Sequence, residues 1–353
     1  MESPQPHPLM SRRRQVFTLI LVIVVAVGIL IRFVRASLRP QLMERATRIM
    51  GMQGADSIGL GWLSDHERLA LRTPSTGLPE LVCLDMARKQ VRPLAAVNPI
   101  FQTLTRLSYD KKLSPDGKWL LVQQEVSGSN PPYDRVVALS LDGKRRVISR
   151  LTAKYPTLLW FSDSKRWIEC VTDKIILHSL DAPGRSRSVP IVHTEDVAPP
   201  YLFDPANACR MGPTDQLVTY HWYHEEPDPT LVLYMADLRA EPVKPRAVII
   251  RVPTGVSVET VSVSPDGQRV AWKWFFWNLS MLPALLRHWM PSLAAPHPTT
   301  EIWVSRLDGS DLHEVGQIND TYPNHQPNDL DWTQDSKRLL FSVDDALYSV
   351  PAD

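Results

Sequence analysis

A short phrase recurs along this chain, and an internal repeat constrains the fold more than any other signal. The phrase reads LSPDGKWLLV at Leu113–Val122 and VSVSPDGQRVAWKW at Val261–Trp274. Degenerate copies keep the same plan: WLSDHERLAL at Trp62–Leu71, LWFSDSKRWIEC at Leu159–Cys170, MGPTDQLVTY at Met211–Tyr220 and LDWTQDSKRLLF at Leu330–Phe341. Each has an apolar strand end, a tight polar turn and a second apolar strand. A further alternating apolar segment follows each one, among them ELVCLDM at Glu80–Met86, RVVALSLDG at Arg135–Gly143 and EIWVSRLDGS at Glu301–Ser310. The turn positions Asp65, Asp116, Asp163, Thr214, Asp266 and Asp335 recur at roughly 50 residues, the period of a unit with about four strands. Short strands punctuated by turns predict an all-β fold, and six such units predict a six-bladed β-propeller over residues 52–353. The longer interval from Asp266 to Asp335 marks an insertion at about 275–299.

The turn residues have a local reason. Pro115 and Pro265 preset φ at the first central turn position, and Gly117 and Gly267 supply a positive φ. Asp116, Asp163, Asp266 and Asp335 can bond nearby backbone N–H groups. These acids are assigned to the fold, because equivalent acids around a ring are a blade device rather than a catalytic set. The S-P-D-G-K turn, together with the I-W-V-x-x-L-D-G strand, resembles the WD40-like repeat of TolB-type β-propellers. It is similar also to the N-terminal propeller of the prolyl oligopeptidase and dipeptidyl peptidase group. The resemblance spans residues 52–353, is closest in the second and fifth copies, and implies six blades. Little sequence follows the sixth copy, so the hydrolase domain of the peptidase relatives is expected to be absent.

Residues 1–15 form a basic tail ahead of an apolar segment. Val16–Ile31 is an uninterrupted uncharged run, preceded by Arg12, Arg13 and Arg14 and followed by Arg32, Arg35 and Arg39. With Phe33 and Val34 added, residues 16–34 are read as a single transmembrane helix, since no polar face exists to place it in a soluble core. A cleaved secretory signal and a buried helix are the competing readings. The flanking arginines leave orientation open, and the propeller is expected outside the cytoplasm, as in a bacterial signal-anchor. Residues 35–51 are a connector. Leu42, Met43, Ala46, Ile49 and Met50 have helical spacing, and the alternative is a strand at Thr47–Met52 that closes the ring.

Composition narrows the function classes. A formal net charge of +1 in 353 residues argues against a nucleic-acid partner. The 31 prolines fall mainly between predicted strands, as in a loop-rich β protein. The three cysteines, Cys83, Cys170 and Cys209, sit in apolar strand patterns and read as buried thiols rather than a disulfide or metal framework. Catalytic signatures are missing: there is no G-x-S-x-G elbow, no H-E-x-x-H helix and no phosphate-binding loop. No catalytic residue and no cofactor are therefore assigned.

The two faces of the predicted ring differ. Turns such as SPDG, SDSK and LDGK are short, whereas the opposite face carries the long segments Asn98–Lys111, Val126–Asp134, His193–Asn207, His221–Thr230, Asn278–Thr300 and Asn319–Asn328. Long loops on one rim of a rigid scaffold are the usual place for function. Within that rim HWYHEEPDP supplies His221, His224 and Glu225 as metal-ligand candidates, beside the aromatic residues Trp222 and Tyr223. The fifth-blade insertion is dense in large apolar residues, including Phe276, Trp277, Leu285 and Trp289, and suits a protein contact, a membrane contact or a flap on its own propeller. Two functions follow. The first is a membrane-tethered, non-catalytic protein-binding or scaffold module using the loop-rich face. The alternative is a propeller hydrolase or lyase with a metal-dependent site near the central channel.

Overall fold

The computed structural model describes residues 41–52, 56–74, 77–103, 113–126, 133–152, 156–171, 174–189, 208–211, 214–223, 230–240, 242–252, 256–278, 297–319, 328–344 and 346–353, with Phe17 and Val27. The chain divides into two compact units, Met1–Gln41 and Leu42–Asp353. Among the described residues no helix is long and apolar enough to cross a membrane. Apart from Phe17 and Val27, the expected anchor at 16–34 lies outside them.

The second unit consists of six antiparallel sheets. A one-turn helix α1 (Leu42–Arg45) leads into strand β1 (Thr47–Gly51), so Ile49 and Met50 belong to the ring-closing strand and the helical spacing is realised over one turn only. The first blade is β2 (Asp56–Trp62), β3 (Glu67–Thr73), β4 (Glu80–Asp85) and β5 (Gln90–Pro93), followed by a short helix α2 (Asn98–Phe101). The second blade has β6 (Trp119–Val126), β7 (Tyr133–Ser140) and β8 (Arg146–Arg150), and the bridge Leu113↔Leu120 takes the innermost place. The third is β9 (Thr157–Trp160), β10 (Arg166–Val171), β11 (Lys174–Ser179) and β12 (Arg187–Val189). The fourth is β13 (Ala208–Met211), β14 (Gln216–Tyr223), β15 (Thr230–Asp237) and β16 (Arg246–Arg251). The fifth is β17 (Val256–Val263), β18 (Arg269–Asn278), β19 (His297–Arg306) and β20 (His313–Asn319). The sixth is β21 (Asn328–Trp332), β22 (Arg338–Val343) and β23 (Ala346–Pro351), completed by β1 from the other end of the unit.

The core shows how the sheets are arranged. Among the described residues there are six apolar clusters, and each joins residues of two successive blades. Trp119, Leu121 and Val136 of the second blade pack with Leu158, Trp160 and Trp167 of the third. Met50, Leu340 and Leu347 of the sixth pack with Trp62, Ala70 and Val82 of the first. The other four clusters fill the remaining boundaries, so the ring is closed and the chain forms a six-bladed β-propeller. The second strand of a blade lies between neighbours on both faces. That is why β3, β10 and β22 are buried in continuous runs rather than at alternate positions.

The repeated turn does structural work on two scales. Within a blade, Asp116 Oδ1 accepts from the Ser114 hydroxyl at 2.6 Å and from the Lys118 N–H at 3.1 Å. Asp266 does the same with Ser264 and Gln268, Asp335 with Thr333 and Lys337, and Asp163 accepts from the backbone of Lys165 and Arg166. Gly117 and Gly267 take φ of 69° and 70°, and Ser164, Asp215 and Ser336 hold the matching left-handed place in the third, fourth and sixth copies. Between blades, Ser164 Oγ accepts from the Asp116 N–H, Asp215 Oδ1 from the Ser162 N–H at 2.8 Å, and Ser336 Oγ from the Asp266 N–H at 3.1 Å.

The seam between the sixth and first blades has its own fastening. Arg68 is 1% exposed and lies 3.0 Å from Asp329 and 3.1 Å from Asp331. Burial would lower the Arg68 guanidinium, but the two carboxylates outweigh it and hold its pKa above the ordinary value. Gly59 is required beside it, because a Cβ there would come within 2.0 Å of the guanidinium. Trp62 Nε1 donates to the Trp332 carbonyl at 3.0 Å, and Trp332 Nε1 donates to Ser262 at 2.8 Å, linking three consecutive blades.

Candidate functional site

The short turns occupy one face of the ring and the remaining connections the other. On that second face the blades are unequal. The third and sixth blades join their middle strands by tight hairpins, Val171 to Lys174 and Val343 to Ala346. The fourth joins them across 224–229 and the fifth across 279–296, both outside the described residues. The strands carry the chain further into the fifth-blade segment than the sequence pattern indicated. Phe276 pairs with Thr299, Trp277 with Pro298 and Asn278 with His297, so all six are rungs of a β-ladder. Trp274 and Phe275 are buried, and Trp274 stacks on Trp303 with ring centroids 4.8 Å apart. Leu285 and Trp289 lie outside the described residues.

Trp222 and Tyr223 are likewise strand residues, paired with Leu231 and Thr230 at the loop end of β14. His221 is half-buried on the same strand, and His224 and Glu225 fall outside the described residues. Among the described residues no group of three or more His, Cys, Asp or Glu could hold a metal ion. Cys83 and Cys170 are buried and not in a disulfide, with burial as the main cause raising the Cys83 thiol; Cys209 lies on β13.

The strands hold a set of polar groups that the motif reading did not single out. Arg72 pairs with Glu80, its Nε at 2.8 Å. Gln123 donates to Asp134 at 2.8 Å, both of them buried. Glu169, fully buried, accepts from the N–H and the hydroxyl of Thr152 at 2.7 Å each and lies 3.1 Å from His178. Lys273 sits 2.8 Å from Glu259, a half-exposed residue at the bulge of β17. Glu301 accepts from Trp303 Nε1 at 2.8 Å. Four of them, Arg72, Gln123, Glu169 and Lys273, lie on the second strand of a blade, and Arg72, Gln123 and Lys273 recur seven residues after the turn position, where the fourth blade has His221. A charged residue inside an apolar run, as in AWKWFF, was the available signal. Helix α2 is pinned to the same face, because the Asn98 side chain exchanges two hydrogen bonds with the Leu81 backbone.

No protein-family model matches this sequence, and no curated protein matches it either. Similar folds occur among solved structures. A protein of Agrobacterium tumefaciens described as TolB is 12% identical over 87% of this chain and 98% of its own, with a TM-score of 0.47. Hydrazine synthase of Kuenenia stuttgartiensis is 14% identical over 80% of this chain and 72% of its own, at 0.46. Prolyl oligopeptidase B of Galerina marginata is 10% identical over 88% of this chain and 50% of its own, also at 0.46. Likeness at this level says nothing of activity. The six-bladed architecture rests on the chain's own six sheets and six inter-blade cores.

Proposed function

We propose that this protein is a membrane-tethered propeller that serves as a non-catalytic binding or scaffold module at the cell envelope, taking a protein partner on the loop face of its fourth and fifth blades. The observation that carries this reading is the unequal length of the strands. β18 and β19 run for 10 residues each, whereas β10, β11, β22 and β23 run for 6. At about 3.3 Å per residue the difference lifts the fifth hairpin by roughly 13 Å. Phe276 and Trp277 ride on its upper rungs. Aromatic residues mounted on a rigid element are the usual anchors of a binding hot spot. The uncharged run at 16–34, flanked by arginines, supports the tether. The direction of β1, which starts at the short-turn face and ends at the loop face, supports presentation of the loop face.

The test is recovery of partners from solubilised membranes with the full chain, comparing Trp277→Ala with Arg88→Ala on the turn face. A partner retained by Arg88→Ala and lost by Trp277→Ala is expected. An identical set from both variants overturns the reading. Protease accessibility of the propeller in intact against lysed cells reports its side of the membrane, and digestion in intact cells is the expected result.

A further inference from the structure

The outer strand of every blade has one edge without a neighbour, and such an edge recruits further strands unless something blunts it. Four of these edges are blunted by visible devices. β5 is 4 residues long and contains Pro93, and β12 is only 3 residues long. β1 carries a bulge between Arg48 and Met50. β20 is overlaid by α1: a Cβ on Gly316 would come within 2.9 Å of Leu42, and the Arg45 guanidinium donates to the Val315 carbonyl. β8 and β16 remain. β8 has 5 residues and its Ile148 is 38% exposed. β16 has 6 residues and keeps unbroken register with β15, from Thr230↔Arg251 to Met235↔Arg246. Its Ile249 is 68% exposed, the highest value for a large apolar side chain in the described propeller.

One face of β16 is committed to the core, and the other is packed only at Ala247. Val248 and Ile250 are buried in the core shared with the fifth blade, where Gly309 of the next turn lies against both. Ala247 packs on the core shared with the third blade. The strand is therefore held in place, while among the described residues its edge has no strand neighbour and Ile249 stays exposed. Exposed Arg246 and Arg251 bracket that isoleucine, and neither makes an ion pair among the described residues.

We infer that the free edge of β16 is a docking site for an extended acidic segment of another protein, which joins the fourth blade as an added antiparallel strand. Backbone groups along the edge supply the hydrogen bonds, as in β-augmentation generally. The charges select the occupant. A second copy of β16 in full antiparallel register would set Arg246 against Arg251 at both ends, and like charges directly opposite are destabilising. An incoming strand with acids at both ends and an apolar residue opposite Ile249 is complementary at all three positions.

A labelled peptide Glu-Thr-Val-Thr-Val-Glu, as long as β16, tests the inference against the full chain by fluorescence anisotropy. The glutamate peptide is expected to bind, and a lysine-ended version to bind about tenfold more weakly or worse. The double variant R246E/R251E should reverse that preference. Both sites are exposed, so its unfolding transition should match the parent's. N-methylation of alternate peptide amides should abolish binding, and Trp277→Ala should leave it unchanged. Hydrogen exchange should slow at 246–251. No binding of the glutamate peptide, equal binding by the charge-reversed variant, protection elsewhere, or a dimer of the chain through this edge would each overturn the proposal.

Discussion

The backbone N–H of Asp116 donates to Ser164 Oγ at 2.9 Å, across the boundary between the second and third blades. Ser164 holds φ at 55°, in the place where the second blade has Gly117. At Gly117 a Cβ would come within 3.2 Å of the Leu63 carbonyl in the preceding turn. The two solutions are alternatives. Glycine lets the preceding turn approach, and serine or aspartate reaches out to bond it. Ser164→Ala is therefore expected to destabilise by about 1–2 kcal/mol, since it loses the bond and keeps the left-handed strain. Ser164→Gly loses the same bond but relieves the strain, so its midpoint in urea denaturation should lie between alanine and wild type.

Arg68 and Arg72 lie four positions apart on β3 and should behave differently. Removal of Arg68 takes away the cation that faces Asp331, itself 1% exposed, while the Trp332 N–H still donates to that carboxylate, and Arg68→Ala should cost about 3–5 kcal/mol. Arg72 and Glu80 are each 20% exposed, so Arg72→Ala should cost about 1 kcal/mol or less. Urea midpoints for the two variants check the contrast.

Lys273 and Glu259 form an unequal pair, with side chains 9% and 33% exposed. Glu259→Gln leaves an ammonium in a buried site, whereas Lys273→Met leaves a carboxylate that water can reach. The glutamine variant should be the less stable by about 1 kcal/mol or more. Thermal unfolding of both variants at neutral pH measures the difference.

Acid should loosen the turns before it reaches the cores. The Arg239 side chain holds Asp237 down to about 2, and hydroxyl groups of Ser140, Ser310 and Thr333 lower Asp142, Asp308 and Asp335. A carboxyl with a depressed folded pKa stabilises above its unfolded value of 3.8, and that stability is lost as pH falls through the folded value. Urea midpoints should fall between pH 3.8 and about 2, and Asp335→Asn should reduce the slope.

The parts of the fold that were legible in the sequence are those written locally. Pro115, Asp116 and Gly117 form a turn by chemistry confined to adjacent residues, so repeat and strand order could be read directly. The latch on Ser164 could not, because its partner is 48 positions away and serine looks like a decayed glycine. Trp277 and its neighbours read as an insertion for the same reason. Their rung partners, Pro298 and Thr299, lie beyond an intervening segment, and aromatic density does not reveal pairing. Lys273 was visible as a charge within an apolar strand, but its meaning depends on Glu259 across the ladder. The open edge of β16 was hidden altogether, because it emerges only when the other five outer strands are seen.

The sixth blade draws β1 from the start of the propeller and β23 from its end, with Thr47 opposite Ser349 and Gly51 opposite Ala346. A ribosome makes β1 first and β23 last. Five blades can take shape as they emerge, but the clasp stays open until nearly the whole propeller has been synthesised. Translation that stops short of Ala346 would yield a ring with Arg68 and its aspartates present and no final strand to hold them. Such a product should be cleared rather than accumulate as a slightly shorter propeller.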